Sequence, residues 1–194
     1  MSIAAQRDVT PPDPGRRLRI GPYTWDDVQN FPPEDGVRYE LLDGVLVMSP
    51  GVSKFHWRVT HNLANLLKAA GDGRFEAIGP PFDWYINESR YFEPDLLVIP
   101  TTDENIRRFE GVPLLVVEII SEFSRARDLG FKKTLYAEAA LEWYWVLDPD
   151  VPDLTVFHLD GTRYVEQARV VGPEAYETDK PLPVRVVPED LLKA

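Results

Sequence analysis

"LLVVEIIS", residues 114–121, places a single carboxylate, that of Glu118, inside an otherwise largely aliphatic segment. Hydrophobic residues at successive positions of so short a segment predict a β-strand that is covered on both faces of its sheet. The side chain of Glu118 therefore points into a packed layer and not into bulk water. Because an ionised carboxylate that is buried without a partner costs several kcal/mol, we expect Glu118 to be paired, protonated or bound to a cation.

The size and composition of the chain indicate one domain. The chain has 194 residues, of which 44% are hydrophobic, and this is enough for one well-buried core. Residues 1–20 are rich in Pro and Arg without periodicity, which predicts a flexible N-terminal arm followed by a single domain over residues 21–194. No apolar run approaches the roughly 18 to 20 residues that cross a bilayer, so we expect no membrane contact. A cytoplasmic location is also expected, because the N-terminus lacks the apolar centre of a signal peptide and the chain has no cysteine.

The net charge of −11 argues against a broad basic surface of the kind that constitutive nucleic-acid binders present to phosphates. Contact with nucleic acid would then depend on a local patch, on metal ions or on weak binding. The cations that could form such a patch are Lys54, Arg58, Arg125, Arg127 and Lys133. Solvated side chains scattered over the surface are an equally good interpretation of these residues.

The order of turns and periodic segments predicts a sheet with helices packed on it. Apolar residues at helical spacing predict helices over residues 53–70 and 124–140. Asp-Gly dipeptides at 43–44 and 160–161 predict two β-hairpins. Together with the buried strands "PDLLVIP" and "LLVVEIIS", this order indicates an α/β or α+β fold.

Asp95 lies at the start of the strand "PDLLVIP", and Glu118 lies late in the next buried strand. If these two strands pair antiparallel, Asp95 and Glu118 become neighbours. Two carboxylates in a layer of low dielectric constant repel each other, so one would be protonated unless a cation neutralises both. A hard divalent cation is the natural partner for carboxylate oxygens, which favours Mg²⁺, with Mn²⁺ as a substitute.

The helix after Glu118 supplies a positive charge. Asp128, Lys132 and Tyr136 are spaced four residues apart, so they line one stripe of the predicted helix. A Lys that reaches the two carboxylates could orient a water molecule or stabilise a pentavalent phosphate, which metal-assisted phosphodiester hydrolysis requires. Lys133 competes for this place, but Lys132 is favoured because it shares the stripe.

Four segments resemble the Uma2 family, whose members are assigned to the PD-(D/E)XK superfamily of restriction-endonuclease-like nucleases. These segments are "RYELLDGVLVMSP", "EPDLLVI", "VVEIIS" and "RDLGFKKTLYAEAALEWYWVLDP", and the resemblance runs from about Tyr23 to Pro188. It implies a restriction-endonuclease-like fold, with a central mixed β-sheet flanked by helices and with additional hairpins. It also implies a metal-dependent endonuclease that acts on nucleic acid, DNA before RNA, as a homodimer.

The resemblance also implies a set of site residues. Asp95 corresponds to the "PD" carboxylate and Glu118 to the (D/E) position, and Glu40 matches a family position that could complete the metal shell. The superfamily Lys would fall at position 120, where this chain has Ile120, so Lys132 in the following helix takes that role. The metal ligands implied are therefore Asp95, Glu118 and Glu40.

Structural roles are open for the same residues. Asp95 could bind backbone amides at the start of its strand, Glu118 could form an ion pair with Lys132, and Glu40 could pair with Arg38. The candidates for substrate contact are His56, Arg58, Arg125 and Tyr136, of which Tyr136 is better suited to packing with an anchored hydroxyl.

Two other functions can be compared with the endonuclease hypothesis. A non-catalytic oligomeric domain could keep the nuclease fold and bind a partner, and the acidic composition favours it. A glycosidase with two catalytic carboxylates is disfavoured, because nothing in a chain this short forms a sugar cleft.

Overall fold

The fold was analysed in a computed structural model, which describes residues 21–31, 37–102 and 105–193. The predicted arm over residues 1–20 lies outside the described residues. The helices are α1 (Trp25–Gln29), α2 (Lys54–Ala70), a π-helical segment (Arg127–Lys132) that continues directly into α3 (Lys133–Glu138), and a 3-10 helix (Pro188–Leu192). The strands are β1 (Val37–Leu42), β2 (Val45–Pro50), β3 (Phe75–Ile78), β4 (Asp83–Asn87), β5 (Arg90–Phe92), β6 (Leu96–Pro100), β7 (Arg108–Phe109), β8 (Leu115–Ile119), β9 (Trp143–Asp148), β10 (Asp153–Asp160), β11 (Arg163–Val171), β12 (Tyr176–Thr178) and β13 (Val184–Val186).

A six-stranded mixed sheet forms the centre of the fold, in the order β11-β10-β9-β8-β6-β3. Strands β8 and β9 are parallel, and the other neighbours in this sheet are antiparallel. A second sheet has the order β2-β1-β5-β4-β7, and β12 pairs with β13 in a small third sheet. The α+β class and the central mixed sheet predicted from the sequence are confirmed.

The central sheet is covered on both faces. Helix α2 packs Val59, Leu63 and Leu67 against one face, in a cluster with Leu96 and Val117. The aromatic residues of the five-stranded sheet and of α3 pack against the other face, and this cluster includes Trp84, Phe92, Leu97, Val116, Tyr136 and Tyr144. The strand β8 is therefore apolar in both directions, as its sequence predicts.

Local sequence explains where several elements begin and turn. Thr24 and Asp27 cap α1 reciprocally, with Thr24 N donating to Asp27 Oδ2 at 2.7 Å and Asp27 N donating to Thr24 Oγ1 at 3.3 Å. The side chain of Ser53 caps α2 by accepting a hydrogen bond from His56 N at 3.1 Å. Helix α2 has 17 residues, and no helix in the described ranges is long and apolar enough to cross a membrane.

Candidate functional site

A cavity of about 530 Å³ opens where the ends of β2 and β8, the start of α2 and the π-helical segment meet. Seven ionisable side chains of the described residues line it, although the layers around it are apolar. These side chains are Arg38, His56, Asp95, Glu118, Arg127, Asp128 and Lys132. Four of the residues predicted from the sequence, Asp95, Glu118, Lys132 and His56, thus meet at one cavity.

The two buried strands pair antiparallel, which was the condition for Asp95 and Glu118 to be neighbours. Strands β6 and β8 pair with Leu96 opposite Val117, and Asp95 lies one residue before β6. Asp95 Oδ2 accepts a hydrogen bond from the backbone N–H of Ile119 at 2.8 Å, which holds its carboxylate at the end of β8 next to Glu118. Both carboxylates are buried, with 3% of each residue exposed.

Lys132 joins two carboxylates, of which Glu118 lines the cavity and Glu40 does not. Its Nζ lies 2.7 Å from Glu118 Oε1 and 2.7 Å from Glu40 Oε1. Tyr136 donates its hydroxyl proton to Glu118 Oε1 at 2.6 Å, and the backbone N–H of Glu93 donates to Glu40 Oε1 at 3.1 Å. Strand β1 thus brings Glu40 to the same ammonium group as Glu118, which the spacing along the chain does not show.

Two nitrogen-bearing side chains from different elements contact Asp95. Arg38 NH1 donates to Asp95 Oδ1 at 2.9 Å. His56 Nε2 lies 2.9 Å from the same oxygen, at ion-pair distance but without the geometry of a hydrogen bond. Burial raises the pKa of Asp95, but His56, Arg38 and the N–H of Ile119 together hold this pKa below its usual range. Asp95 is therefore an anion at neutral pH.

Glu118 and Lys132 respond differently to the same burial. Burial raises the pKa of Glu118; Lys132 opposes this rise, and the carboxylates of Asp128, Asp95 and Glu40 add to it. For Lys132, burial favours the neutral amine, but the surrounding carboxylates outweigh it and raise the pKa. Lys132 therefore remains an ammonium ion that can donate hydrogen bonds but cannot accept a proton.

The helix that carries Lys132 departs from α-helical geometry where it contacts the cavity. The helix was predicted over residues 124–140, and within it the π-helical segment places Asp128 and Lys132 in the interior, each 1% exposed. Leu129 and Phe131, in the same segment, are 37% and 46% exposed. π-Helical turns insert an extra residue per turn and are frequent at functional sites.

The stripe predicted for Asp128, Lys132 and Tyr136 is buried along its whole length. Asp128 binds Arg127 Nε at 3.0 Å, and its backbone carbonyl accepts a hydrogen bond from Tyr144 at 3.1 Å. Lys133 points elsewhere, with its Nζ 3.4 Å from the centre of the Phe157 ring. Lys132, and not Lys133, therefore faces the carboxylates.

The residues predicted for substrate contact are not all at the cavity. Tyr136 is fully buried, in edge contact with Phe92 at a centroid distance of 4.8 Å, so it packs with its hydroxyl anchored on Glu118. Arg58 does not line the cavity. Arg125 forms an ion pair with Asp148 and lines a different cavity.

The predicted cationic patch is therefore not assembled at this cavity. Of its five members, Arg127 lines the cavity and donates to Ser49 Oγ at 2.9 Å, whereas the other four do not line it. Arg38 also lines the cavity and adds a second guanidinium group, although the sequence suggested it only as a partner of Glu40. Arg38 and Glu40 are two residues apart in β1, so the period of a strand places both on one face. This spacing could have indicated from the sequence that Arg38 lies at the same site as Glu40.

Some of the carboxylate oxygen atoms at the site are available to a hard cation, and others already have partners. Within the described ranges, no group of three or more His, Asp or Glu side chains is arranged as a metal-binding cluster. The hydrogen bonds to Glu40 and Glu118 converge on Oε1 of each, which leaves the Oε2 atoms as hard oxygen donors. Both oxygens of Asp95 are already bound by Arg38, His56 or Ile119, so Asp95 would have to exchange a partner for a metal ion.

The comparison with solved structures identifies the class of fold. The chain is similar to the crystal structure of "a putative nuclease belonging to DUF820" from Anabaena variabilis ATCC 29413, with a TM-score of 0.65. The two chains share 17% sequence identity, and the similarity covers 88% of this chain and 98% of the other. The fold is therefore restriction-endonuclease-like.

The sequence comparison identifies the family. The model of the Uma2 family, described as "Putative restriction endonuclease", matches residues 25–188, so the chain belongs to this family. A relative from Synechocystis sp. (strain ATCC 27184 / PCC 6803 / Kazusa), "Uncharacterized protein sll1609", is 30% identical over 118 residues. That match covers 56% of this chain and 65% of the relative, which is slightly less than two thirds of its length.

Proposed function

We propose that this protein is an Mg²⁺-dependent endonuclease that hydrolyses phosphodiester bonds of nucleic acid, with DNA as the preferred substrate. One observation carries the proposal. Lys132 bridges Glu40 and Glu118 at 2.7 Å each, next to Asp95, at the wall of a 530 Å³ cavity in a chain of the Uma2 family. Carboxylates and an ammonium ion beside an open cavity are the groups that metal-assisted phosphoryl chemistry uses.

The cost of this cluster supports a functional role. Glu40, Asp95, Glu118, Asp128 and Lys132 are all buried, with at most 3% of each residue exposed. Apolar residues of similar volume often give equal or greater stability than a buried ion-pair network. Buried ionisable groups with shifted pKa values are concentrated at catalytic sites, and this cluster faces a cavity large enough for a phosphate group.

The proposed Mg²⁺ would be held by Asp95 and Glu118, with Glu40 assisting, and Mn²⁺ could replace it. When bound, it would supply positive charge to the phosphate and an activated water molecule. In the overall reaction, one water molecule is consumed, a P–O bond breaks, and the leaving oxygen gains a proton while the phosphate keeps the new oxygen.

The protein groups have separate tasks in this proposal. Lys132 keeps its proton, so it holds the two glutamates in place and donates a hydrogen bond, and it does not act as the base. Arg127 and Arg38 both line the cavity, where guanidinium groups would bind the phosphate oxygens of a substrate. His56 stands beside Arg38 at the same carboxylate and adds a further nitrogen to this wall.

Two isosteric substitutions test the proposal. Glu118→Gln and Asp95→Asn remove one negative charge each from the site, and we expect each to reduce Mg²⁺-dependent cleavage of a DNA substrate about 100-fold or more. The matched control is Asp148→Asn, because Asp148 is also a buried acid paired with an Arg but lies outside the cavity. Full cleavage by either site variant, with a normal thermal melting curve, would reject the assignment.

A second function is favoured by the state of Asp95. Its carboxylate is bound by Arg38 and Ile119 and contacted by His56, which suits a non-catalytic nuclease-fold domain that binds a partner as an oligomer. Isothermal calorimetry with Mg²⁺ and Mn²⁺ separates the two functions. Binding that Glu118→Gln abolishes supports the endonuclease, and no binding of either ion supports the other role.

A homodimer accompanies the endonuclease proposal, because two sites are needed to cut both strands of a duplex.

A further inference from the structure

A second cavity lies on the other side of the wall that holds Asp95. It has a volume of about 500 Å³, and it shares Arg38, Gly51, Val52, His56 and Asp95 with the carboxylate cavity. Its remaining lining is largely apolar and aromatic, and it includes Trp57, Thr60, Ala64, Pro80 and Pro81. We call this cavity the Trp57 groove. A chain-like ligand in the carboxylate cavity would continue across the shared wall into this groove.

Trp57 presents an aromatic surface in this groove. The side chain is on the outer face of α2, and 57% of the residue is exposed, whereas Val59 and Leu63 of the same helix are fully buried. The imidazole ring of His61 stacks on the indole at a centroid distance of 4.9 Å and an interplanar angle of 12°. The stacked imidazole fixes the orientation of the indole and leaves the exposed part of the ring available to a ligand.

The shared wall carries two polar atoms without a hydrogen-bond partner. Arg38 Nε and His56 Nε2 are both buried and unpaired among the described residues, although the side chain of each contacts Asp95. Phosphate oxygens are acceptors that suit the guanidinium group of Arg38, and a phosphate at this wall would connect the two cavities. The groove thus combines a donor for a backbone phosphate with the aromatic ring of Trp57, which follows His56 in α2.

We propose that the Trp57 groove binds an unpaired nucleobase of the substrate strand, next to the phosphate in the carboxylate cavity. This inference rests on the proposed endonuclease function and adds the form of nucleic acid that the site accepts. Bases stack on exposed aromatic side chains with little dependence on sequence, because every base has a π-face. A base inside a duplex has both faces covered by its neighbours, so the ligand is single-stranded or locally opened nucleic acid.

Binding without metal tests this inference separately from cleavage. Fluorescence anisotropy in EDTA measures the Kd of a labelled single-stranded oligonucleotide and of its duplex for the wild type, Trp57→Ala and Trp57→Phe. We expect Trp57→Ala to weaken single-strand binding by about 5- to 150-fold, to affect duplex binding less, and Trp57→Phe to retain most of the affinity. The matched control is Phe55→Ala, because Phe55 is 40% exposed on the same helix but lines neither cavity.

Several results would overturn the inference. It fails if the wild type does not bind the single strand, if Trp57→Ala binds like the wild type, or if Phe55→Ala loses as much affinity. It also fails if single strand and duplex lose affinity equally. A cleavage assay with Mg²⁺ distinguishes the two proposals: binding that depends on Trp57 without cleavage rejects the endonuclease and keeps the groove, and unchanged cleavage of single strands by Trp57→Ala rejects the groove and keeps the endonuclease.

Discussion

The two helical segments that cover opposite faces of the central sheet bury different kinds of side chain. Helix α2 follows the usual amphipathic pattern, with Leu63 and Leu67 in the core. The π-helical segment reverses this pattern, because Asp128 and Lys132 are inside and Phe131 is 46% exposed. Hydrophobic burial therefore explains the position of α2 but not that of the π-helical segment.

The difference shows how the second helix is held. A fully buried Leu contributes about 1.5–3 kcal/mol to stability, whereas a buried ion pair often contributes nothing in net terms. Leu135 and Tyr136 of α3 are buried in the apolar cluster, one turn beyond Lys132. We infer that α3 anchors this helix and that the preceding π-helical turn carries the charged groups to the carboxylates.

The largest effect on stability is expected from removing the ammonium group of the charged cluster, which consists of Lys132, Glu40 and Glu118. Lys132→Met keeps the length of the side chain but leaves Glu40 and Glu118 without their common ammonium group, and we expect a loss of about 3–5 kcal/mol in the free energy of unfolding. Urea denaturation measures this loss. Adding Glu118→Gln to Lys132→Met should recover at least about 1 kcal/mol, because one uncompensated charge is removed.

Leu63→Ala in α2 is the matched control for this comparison. It creates a cavity in an apolar core and should cost about 2–5 kcal/mol, with no recovery from Glu118→Gln. If Lys132→Met costs less than about 1 kcal/mol, the charged cluster is not a structural unit and the contrast between the two helices is wrong.

A smaller effect on stability is expected from Asp83 in β4, whose carboxyl group interacts electrostatically with Glu40. Burial, reinforced by Glu40 and opposed by Arg108, raises the pKa of Asp83 from 3.8 to about 7. Between these values the folded protein binds more protons than the unfolded chain, so the stability falls as the pH rises through this window. Asp83→Asn should remove the part of this fall that Asp83 causes and raise the stability at neutral pH, on the order of 2 kcal/mol.

Thermal melting of the wild type and Asp83→Asn between acidic and neutral pH checks this prediction. Part of the decline should persist in the variant, because Glu93 also has a pKa raised to about 7, first by burial and then by Asp83. Parallel melting profiles for the two proteins would show that Asp83 does not titrate in this range.

The smallest effect is expected at the exposed apolar position of the π-helical segment. Phe131→Gln replaces a half-exposed ring, and we expect a change below about 1 kcal/mol in the free energy of unfolding and unchanged cleavage. Urea denaturation and the cleavage assay measure both quantities. A loss above about 2 kcal/mol that depends on protein concentration would show that the ring is buried by a second copy of the chain.

Much of the site could be predicted from local patterns. The aliphatic runs around Glu118 and after Asp95 predicted buried strands, and the antiparallel pairing of these strands would make the two acids neighbours, as the structure shows. The spacing of Asp128, Lys132 and Tyr136 placed all three on one stripe, because four residues make about one helical turn. These predictions succeeded because burial and helical spacing are properties of short segments.

The contacts that neutralise the acids were decided by tertiary structure. Arg38 reaches Asp95 across 57 residues of sequence, and Arg125 turns away to Asp148, so proximity along the chain gave no guide to either partner. The π-helical geometry of residues 127–132 was also not predictable, because α- and π-helical turns differ by one residue in hydrogen-bond register. The sequence by itself determined which segments are buried and which of their residues carry charge. Only the packing of β1, α2 and the second helix around the ends of β6 and β8 decided which charges meet, because electrostatic pairing depends on distances in space between segments that are far apart in the chain.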